Sequence, residues 1–266
     1  DTDENDRFNI KNDSDSEITC RITLTDDFTV LIEDVTGTNS DQPSSGVTGG
    51  GENQGGELGL VYDNTDSGQG KLLIYNETGL ENYRKIVNGE TVQVPAKAGT
   101  WNQQVSYQLP AYLEADIEIG GEWTPIGSLE HALQRNFDGQ GHSITFTESS
   151  SFTGNCVGVF GYAGNYEEPN TISNLVVKGK LTSTSTSTVD YVGGIVAYGV
   201  GINVENCINM ASLCSGTYVG GIIGYVYANG DNTTNSVSKC INTGEISNAS
   251  TTDHYRGGIV AYTCGN

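Results

Sequence analysis

Little in this chain carries positive charge. Its 266 residues hold 12 Lys and Arg against 33 Asp and Glu, a net charge of −21. Nucleic acids and anionic membrane surfaces are gripped by clustered cations, so both are set aside as partners. Histidine is scarce as well. None of His131, His142 and His254 has a second histidine or a cysteine two to four residues on, so no metal-ligand pair is visible. No serine stands in a G-x-S-x-G elbow, and neither a P-loop nor a dinucleotide fingerprint occurs. No apolar run reaches the length of a membrane span, and no signal peptide is recognisable. The first residue is Asp1 in place of Met, so the expectation is a processed chain or an excised piece of a longer one. One methionine and 8% aromatics beside 36 glycines leave a single conventional core thin.

What the chain does have is repetition. Tyr191-Val-Gly-Gly-Ile-Val-Ala-Tyr198 returns as Tyr218-Val-Gly-Gly-Ile-Ile-Gly-Tyr225 and as Tyr255-Arg-Gly-Gly-Ile-Val-Ala-Tyr262, with a degenerate copy at Cys156-Val-Gly-Val-Phe-Gly-Tyr162. Between the copies runs a ten-residue block at Ile172–Leu181, Val204–Leu213 and Val237–Ile246. Successive final tyrosines lie 36, 27 and 37 residues apart, so all length variation falls in the connections while the blocks stay constant. Strands stacked on the next coil cannot change length, and loops facing solvent can. Both blocks are β-branched, glycine-bounded and without a 3.6-residue period. The expected fold is all-β: a right-handed parallel β-helix, or β-solenoid, with two strands per repeat stacked about 4.8 Å apart.

Two regions follow from composition. Residues 1–66 hold 16 acidic and 3 basic side chains and read as an acidic, glycine- and serine-rich N-terminal region with a linker. A short β pair is expected there, Ile18–Leu24 and Phe28–Ile32, around a turn at Asp26-Asp27. Residues 67–266 form the β-helix, with a cap at about 71–150 and repeats at about 151–266. Within the cap, Lys71–Tyr75 reads as a strand. Thr78-Gly-Leu-Glu81 fits a capping box opening a helix at about 79–88, which Gly89 ends. Such a helix would cover the open first coil.

Residues 109–146 carry Leu113-Glu-Ala-Asp-Ile-Glu-Ile119, Glu122-Trp-Thr-Pro-Ile-Gly127 and Phe137-Asp-Gly-Gln-Gly-His-Ser-Ile144. With Val157-Gly-Val-Phe-Gly-Tyr162 and the Gly-Gly-Ile copies, this ordered series resembles GLUG-type repeat proteins over roughly residues 70–266. The resemblance implies a β-helix in a large bacterial surface or secreted protein, with a role in adhesion or display. Residues 15–36 look like the terminal strands of fimbrillin-type domains. On this reading the chain is a non-enzymatic, exported bacterial module at the cell surface. It binds a glycan or protein through its inter-strand connections, alongside filament or other surface-protein subunits. The rival classes are a polysaccharide lyase or hydrolase and a purely structural spacer.

Candidate ligand contacts are few. Tyr162, Tyr198, Tyr225 and Tyr262 recur once per coil: they are either a platform for sugar faces or an aromatic stack at a corner, and the recurrence in every coil favours the stack. Trp101 and Trp123 are glycan candidates only if exposed. Catalytic and metal sites are expected to be absent. Asp138 and His142 sit in turn chemistry, and Asp116 and Glu118, two apart, share a strand face. Asp63-Asn-Thr-Asp66-Ser-Gly68 is oxygen-rich. Structural calcium is the one cofactor such carboxylates would suit, although a solvated face or turn fits them better. Cys207 and Cys240 hold equivalent positions where Leu175 stands in the preceding block, and read as stacked, reduced core thiols. Asn174 with Asn206, and Asn209 with Asn242, are aligned for amide ladders. Ile195, Ile222 and Ile259 are expected to stack in the core. Finally, Asn266 lies four residues past the last tyrosine, so the expectation is that the last coil is covered by continuing chain or by another chain.

Overall fold

The structure is a computed structural model. It describes residues 7–11, 17–24, 30–34, 59–65, 70–97, 103–105, 108–165, 168–183, 189–214, 216–228, 234–247 and 255–265. The chain divides into two compact units, Asp1–Glu52 and Asn53–Asn266. The first contains β1 (Arg7–Lys11), β2 (Glu17–Leu24) and β3 (Val30–Asp34), an antiparallel sheet in that order. The expected pair is present as β2 and β3, with Ile22 opposite Ile32, and β1 adds a third strand on the far side of β2.

The second unit is a parallel β-solenoid. It opens with β4 (Leu60–Asp63), β5 (Lys71–Ile74), α1 (Glu77–Val87), β6 (Val92–Val94) and β7 (Gln103–Val105). A first, partial coil follows as β8 (Ala111–Leu113), β9 (Ile117–Ile119) and β10 (Glu122–Trp123). The next coil runs β11 (Phe137–Asp138), β12 (Ser143–Phe146), β13 (Ser151–Phe152), β14 (Cys156–Val157) and β15 (Phe160–Ala163). Then come β16 (Asn170–Ser173), β17 (Val176–Thr182), β18 (Tyr191–Gly193) and β19 (Val196–Val200). After them lie β20 (Ile202–Glu205), β21 (Ile208–Asn209), β22 (Ser212–Cys214), β23 (Tyr218–Gly220) and β24 (Ile223–Tyr227). The last coil is β25 (Ser236–Ser238), β26 (Ile241–Asn242), β27 (Ile246–Ser247), β28 (Tyr255–Gly257) and β29 (Val260–Cys264).

Equivalent strands stack in parallel, giving walls such as β14-β18-β23-β28 and β15-β19-β24-β29 and therefore four turns through the repeats. The register is residue for residue: Tyr191 pairs with Tyr218 and Tyr218 with Tyr255, while Val204 pairs with Val237. The inside is filled by β-branched and aromatic side chains, Ile195, Ile222, Val177, Val204 and Phe137 among them, all fully buried. Ile195 and Ile222 stack as expected; Ile259, on the last coil, is 37% exposed.

Each repeat is more broken than the expected two strands. The eight-residue block splits into two strands at its glycine pair. A Cβ on Gly193, Gly220 or Gly257 would lie 1.9, 1.8 or 1.8 Å from the carbonyl oxygen of Val196, Ile223 or Val260. The first glycine thus lets the chain fold sharply against itself. The ten-residue block splits where Asn174, Asn206 and Lys239 take positive φ of 54°, 53° and 53°, as Gln140 does at 52° one coil earlier. Residues there leave the strand and turn the wall.

The first coils are closed on one side by β4, which pairs antiparallel with β5, and by α1. The helix buries Leu80, Tyr83, Ile86 and Val87, with the Tyr83 ring 5.9 Å from that of Phe137. It begins two residues before the expected start. Asn76, not Thr78, is the cap, its Oδ1 accepting the Gly79 amide at 2.9 Å. A short amide side chain reaches the third amide on, and Gly79 packs against the Gly59 carbonyl where any Cβ would collide. Among the described residues, no helix is long and apolar enough to cross a membrane.

Candidate functional site

On the described surface the tyrosines form an ordered array. Because the chain turns at each glycine pair, the first and last residues of every eight-residue block come together. Tyr191 and Tyr198 meet edge to face at 5.2 Å, Tyr218 and Tyr225 at 5.1 Å, Tyr255 and Tyr262 at 4.8 Å. Each ring also lies on its equivalent in the next coil. One column is Tyr162, Tyr198, Tyr225 and Tyr262, with centroids 5.2, 4.9 and 5.4 Å apart. The other is Tyr191, Tyr218 and Tyr255, at 5.3 and 5.0 Å. Stacked and edge-to-face pairs are the two arrangements that the ring quadrupole favours. Seven half-buried or exposed rings thus form one double ladder down a corner of the solenoid.

This packing decides what the ladder can offer a ligand. The inner rings have both faces against other tyrosines, so a sugar ring cannot lie on them. The Tyr162 and Tyr225 hydroxyls are in turn engaged by the thiols of Cys156 and Cys264. Burial raises the pKa of Tyr162, Tyr191, Tyr218 and Tyr225 above the usual phenol value, and neighbouring phenols and thiols add to it. These four hydroxyls thus hold their protons more tightly than an ordinary phenol and can both donate and accept. Sequence reasoning placed the column ending each block and missed the column that starts it. The signal was available: two tyrosines seven residues apart with a glycine pair between them.

The other candidates are engaged elsewhere. Trp123 is buried, 3% exposed and edge-on to Phe146 at 6.1 Å, so it offers no open ring face. Trp101 lies outside the described residues, as do Asp66, Ser67, Gly68 and His254. Asp138 does not meet His142. Its Oδ1 accepts the Gln140 amide at 2.9 Å and the Asn174 side chain at 2.8 Å, holding the turn. The Nδ1 of His142 lies 3.5 Å from Asp116 instead. Asp116 precedes β9 rather than sharing its face with Glu118, and accepts the Ser143 amide at 2.7 Å. That bond is the main reason its carboxyl titrates below the usual range. Asp63 is buried between Lys97 at 3.3 Å and Lys71 at 3.7 Å. Burial alone would raise its pKa, but the Thr65 hydroxyl and amide together with Lys97 outweigh it and bring the value down to about 2. Among the described residues, no three His, Cys, Asp or Glu side chains gather as metal ligands.

The asparagine rows stiffen the scaffold. Asn206 donates to Asn174 at 2.6 Å on the outer turn. Inside, Asn209 donates to Asn242 at 2.8 Å, and each closes a ring with the backbone two residues on. Asn209 is wholly buried, and only this saturated bonding makes that tolerable. Cys156, Cys207, Cys214, Cys240 and Cys264 are not joined in disulfides. Cys207 is buried as expected; Cys240 is only half-buried, since the last coil exposes its strands.

Two concavities on the described surface are small. One of about 160 Å³ is lined by Thr147, Glu148, Ser150, Lys180 and Thr182. Another, of about 140 Å³, lies between α1 and the β9–β10 corner beside Glu77, Glu81, Arg84 and Glu122. Both fall below the roughly 300 Å³ at which small-molecule sites begin. No protein-family model, curated protein or solved structure matches the chain, so its fold and surface chemistry carry the functional reading.

Proposed function

We propose that this chain is a non-catalytic adhesion or display module of a bacterial cell surface, of the GLUG-repeat kind, in which a rigid solenoid presents variable connections to a glycan or protein ligand. The supporting observation is the contrast between wall and connection. Strands pair residue for residue through the repeats, while the segments joining the blocks differ twofold in length. Binding residues gather on loops held by a rigid scaffold, and this chain concentrates its variation there. Asp116, Asp138 and Asp63, carboxylates that the sequence singled out, are engaged in turns or by lysines, which supports a non-catalytic reading.

The test is a binding and turnover experiment with the 266-residue chain. Host-type glycans, glycosaminoglycans, pectin and alginate are presented on an array and in solution. The expected result is binding to one class without cleavage, lost when the 182–190 or 226–236 connection is shortened. Reproducible cleavage of any polymer would favour the lyase or hydrolase reading, and binding that survives both shortened connections would move the contact surface onto the walls.

A further inference from the structure

We propose that Cys207 and Cys240 are an oxidisable dithiol that closes to a disulfide between successive coils, locking the last turn to the one before it. The two residues hold the same place in adjacent turns. The pairs beside them, Ile208 with Ile241 and Asn209 with Asn242, are in register, and the Ile241 amide donates to the Cys207 carbonyl at 3.0 Å. Parallel strands lie about 4.8 Å apart, inside the roughly 4.4–6.8 Å that the Cα atoms of a disulfide span. Both thiols turn inward over matching carbonyls, Cys207 at 3.3 Å from that of Glu205 and Cys240 at 3.3 Å from that of Ser238. They also contact one another.

No other described thiol stacks on a thiol. Cys214 lies between Thr182 and Ser247, Cys156 beside Tyr191, and Cys264 beside Tyr227. The contact also makes the pair unequal. The hydrogen bond from Cys207 lowers the pKa of Cys240 to about 7, while Cys207 is held well above the usual thiol value. Cys240, half-buried, is the sulfur that ionises first and that a reagent can reach. Burial pushes Cys156 up to about 11, which leaves it inert by comparison.

The chemistry needs an external disulfide as oxidant. The Cys240 thiolate attacks one of its sulfurs; the external S–S bond breaks, and one thiolate leaves. Cys207 then loses its proton to solvent and attacks the Cys240 sulfur, expelling the second thiolate. Two protein thiols lose two electrons and two protons in all, and one external disulfide becomes two thiols.

Glutathione disulfide applied to the reduced, folded 266-residue chain tests this. Thiol titration in denaturant should fall from six to four, and peptide mapping should find Cys207 joined to Cys240. The melting temperature should rise by roughly 5–10 °C and fall back with dithiothreitol. Cys207→Ser should leave glutathione on Cys240 with no cross-link. If that variant does not fold, Cys240→Ser serves in its place, and should keep its thiols untouched. Six thiols remaining in the folded protein, or a cross-link joining Cys240 to Cys214 or Cys264, would overturn the proposal.

Discussion

At the scale of single residues, the turn between the two halves of the ten-residue block is the most demanding position in the repeat. It needs a left-handed backbone in every coil, and Gln140, Asn174, Asn206 and Lys239 supply it in turn. Asparagine suits the site twice over, because it tolerates that conformation and because its amide bonds to the coil above. Lysine does neither. Its gain is an ion pair with Glu205 at 3.0 Å, formed by a side chain that is 73% exposed and therefore worth little. Lys239→Asn should stabilise the chain by about 1 kcal/mol, read as a melting temperature higher by roughly 2–4 °C. A lower one would mean that the Glu205 pair outweighs the backbone strain. Asp63 sets a pH dependence. Its folded pKa, about 2, lies below the unfolded value of 3.8, so its contribution is present above pH 4 and is lost as pH falls towards 2. Asp63→Asn should be less stable than the parent at pH 7 and should lose less stability between pH 4 and 2; parallel curves would show that Asp63 is not the group responsible. The amide ladders were legible from aligned asparagines, but the lysine at the third position was not. A lysine in an otherwise polar block carries no mark of a positive φ.

At the scale of the element, the spacing of the repeats alone made the solenoid legible, because only stacked strands hold block length constant while connections vary. The corners inside the blocks were not legible. A strand broken at two glycines keeps its β-branched composition, so it reads as continuous. The second glycine shows why the break is fixed: a Cβ on Gly221 would lie 2.0 Å from the Gly258 carbonyl and 2.5 Å from the Asn242 side chain. The inner asparagine row, Asn209 and Asn242, therefore packs against the glycine row, Gly194 and Gly221. The degenerate copy agrees, since it is one glycine short and the next coil carries Val177 in place of the asparagine. Gly221→Ala should force the coils apart and cost about 3 kcal/mol or more, whereas at Gly258 a methyl meets nothing within 4 Å. Gly258→Ala should be neutral or slightly stabilising in the same denaturant titration. Equal losses at the two sites would contradict this packing. Ile222 and Ile259 give a second contrast. Ile222→Asp buries an unpaired charge and should leave the chain unfolded, while Ile259→Asp, at a position already 37% exposed, should fold. An Ile222→Asp protein with the parent's melting temperature would mean the register is wrong.

At the scale of the whole molecule, the two ends of the solenoid differ. The early coils are covered by β4 and α1, and their strands are mostly buried; along the last described coil, β25 to β29, most side chains are half-buried or exposed. The tyrosine ladder runs along this gradient from Tyr162 to Tyr262. Its rings are identical chromophores held about 5 Å apart, a spacing at which excitation does not stay where it is absorbed. Light taken up by one tyrosine should hop through the others before it is emitted, so the tyrosine fluorescence should be depolarised even in a viscous solvent that stops the molecule from tumbling. Tyr218 touches Tyr191, Tyr225, Tyr255 and Tyr262, and replacing it with phenylalanine keeps the packing while removing the central phenol. Tyr218→Phe should raise the anisotropy at an unchanged melting temperature, and an anisotropy that does not move would mean the rings do not exchange energy. Coil registration in this protein is thereby an optical property, readable from polarised emission with no label attached.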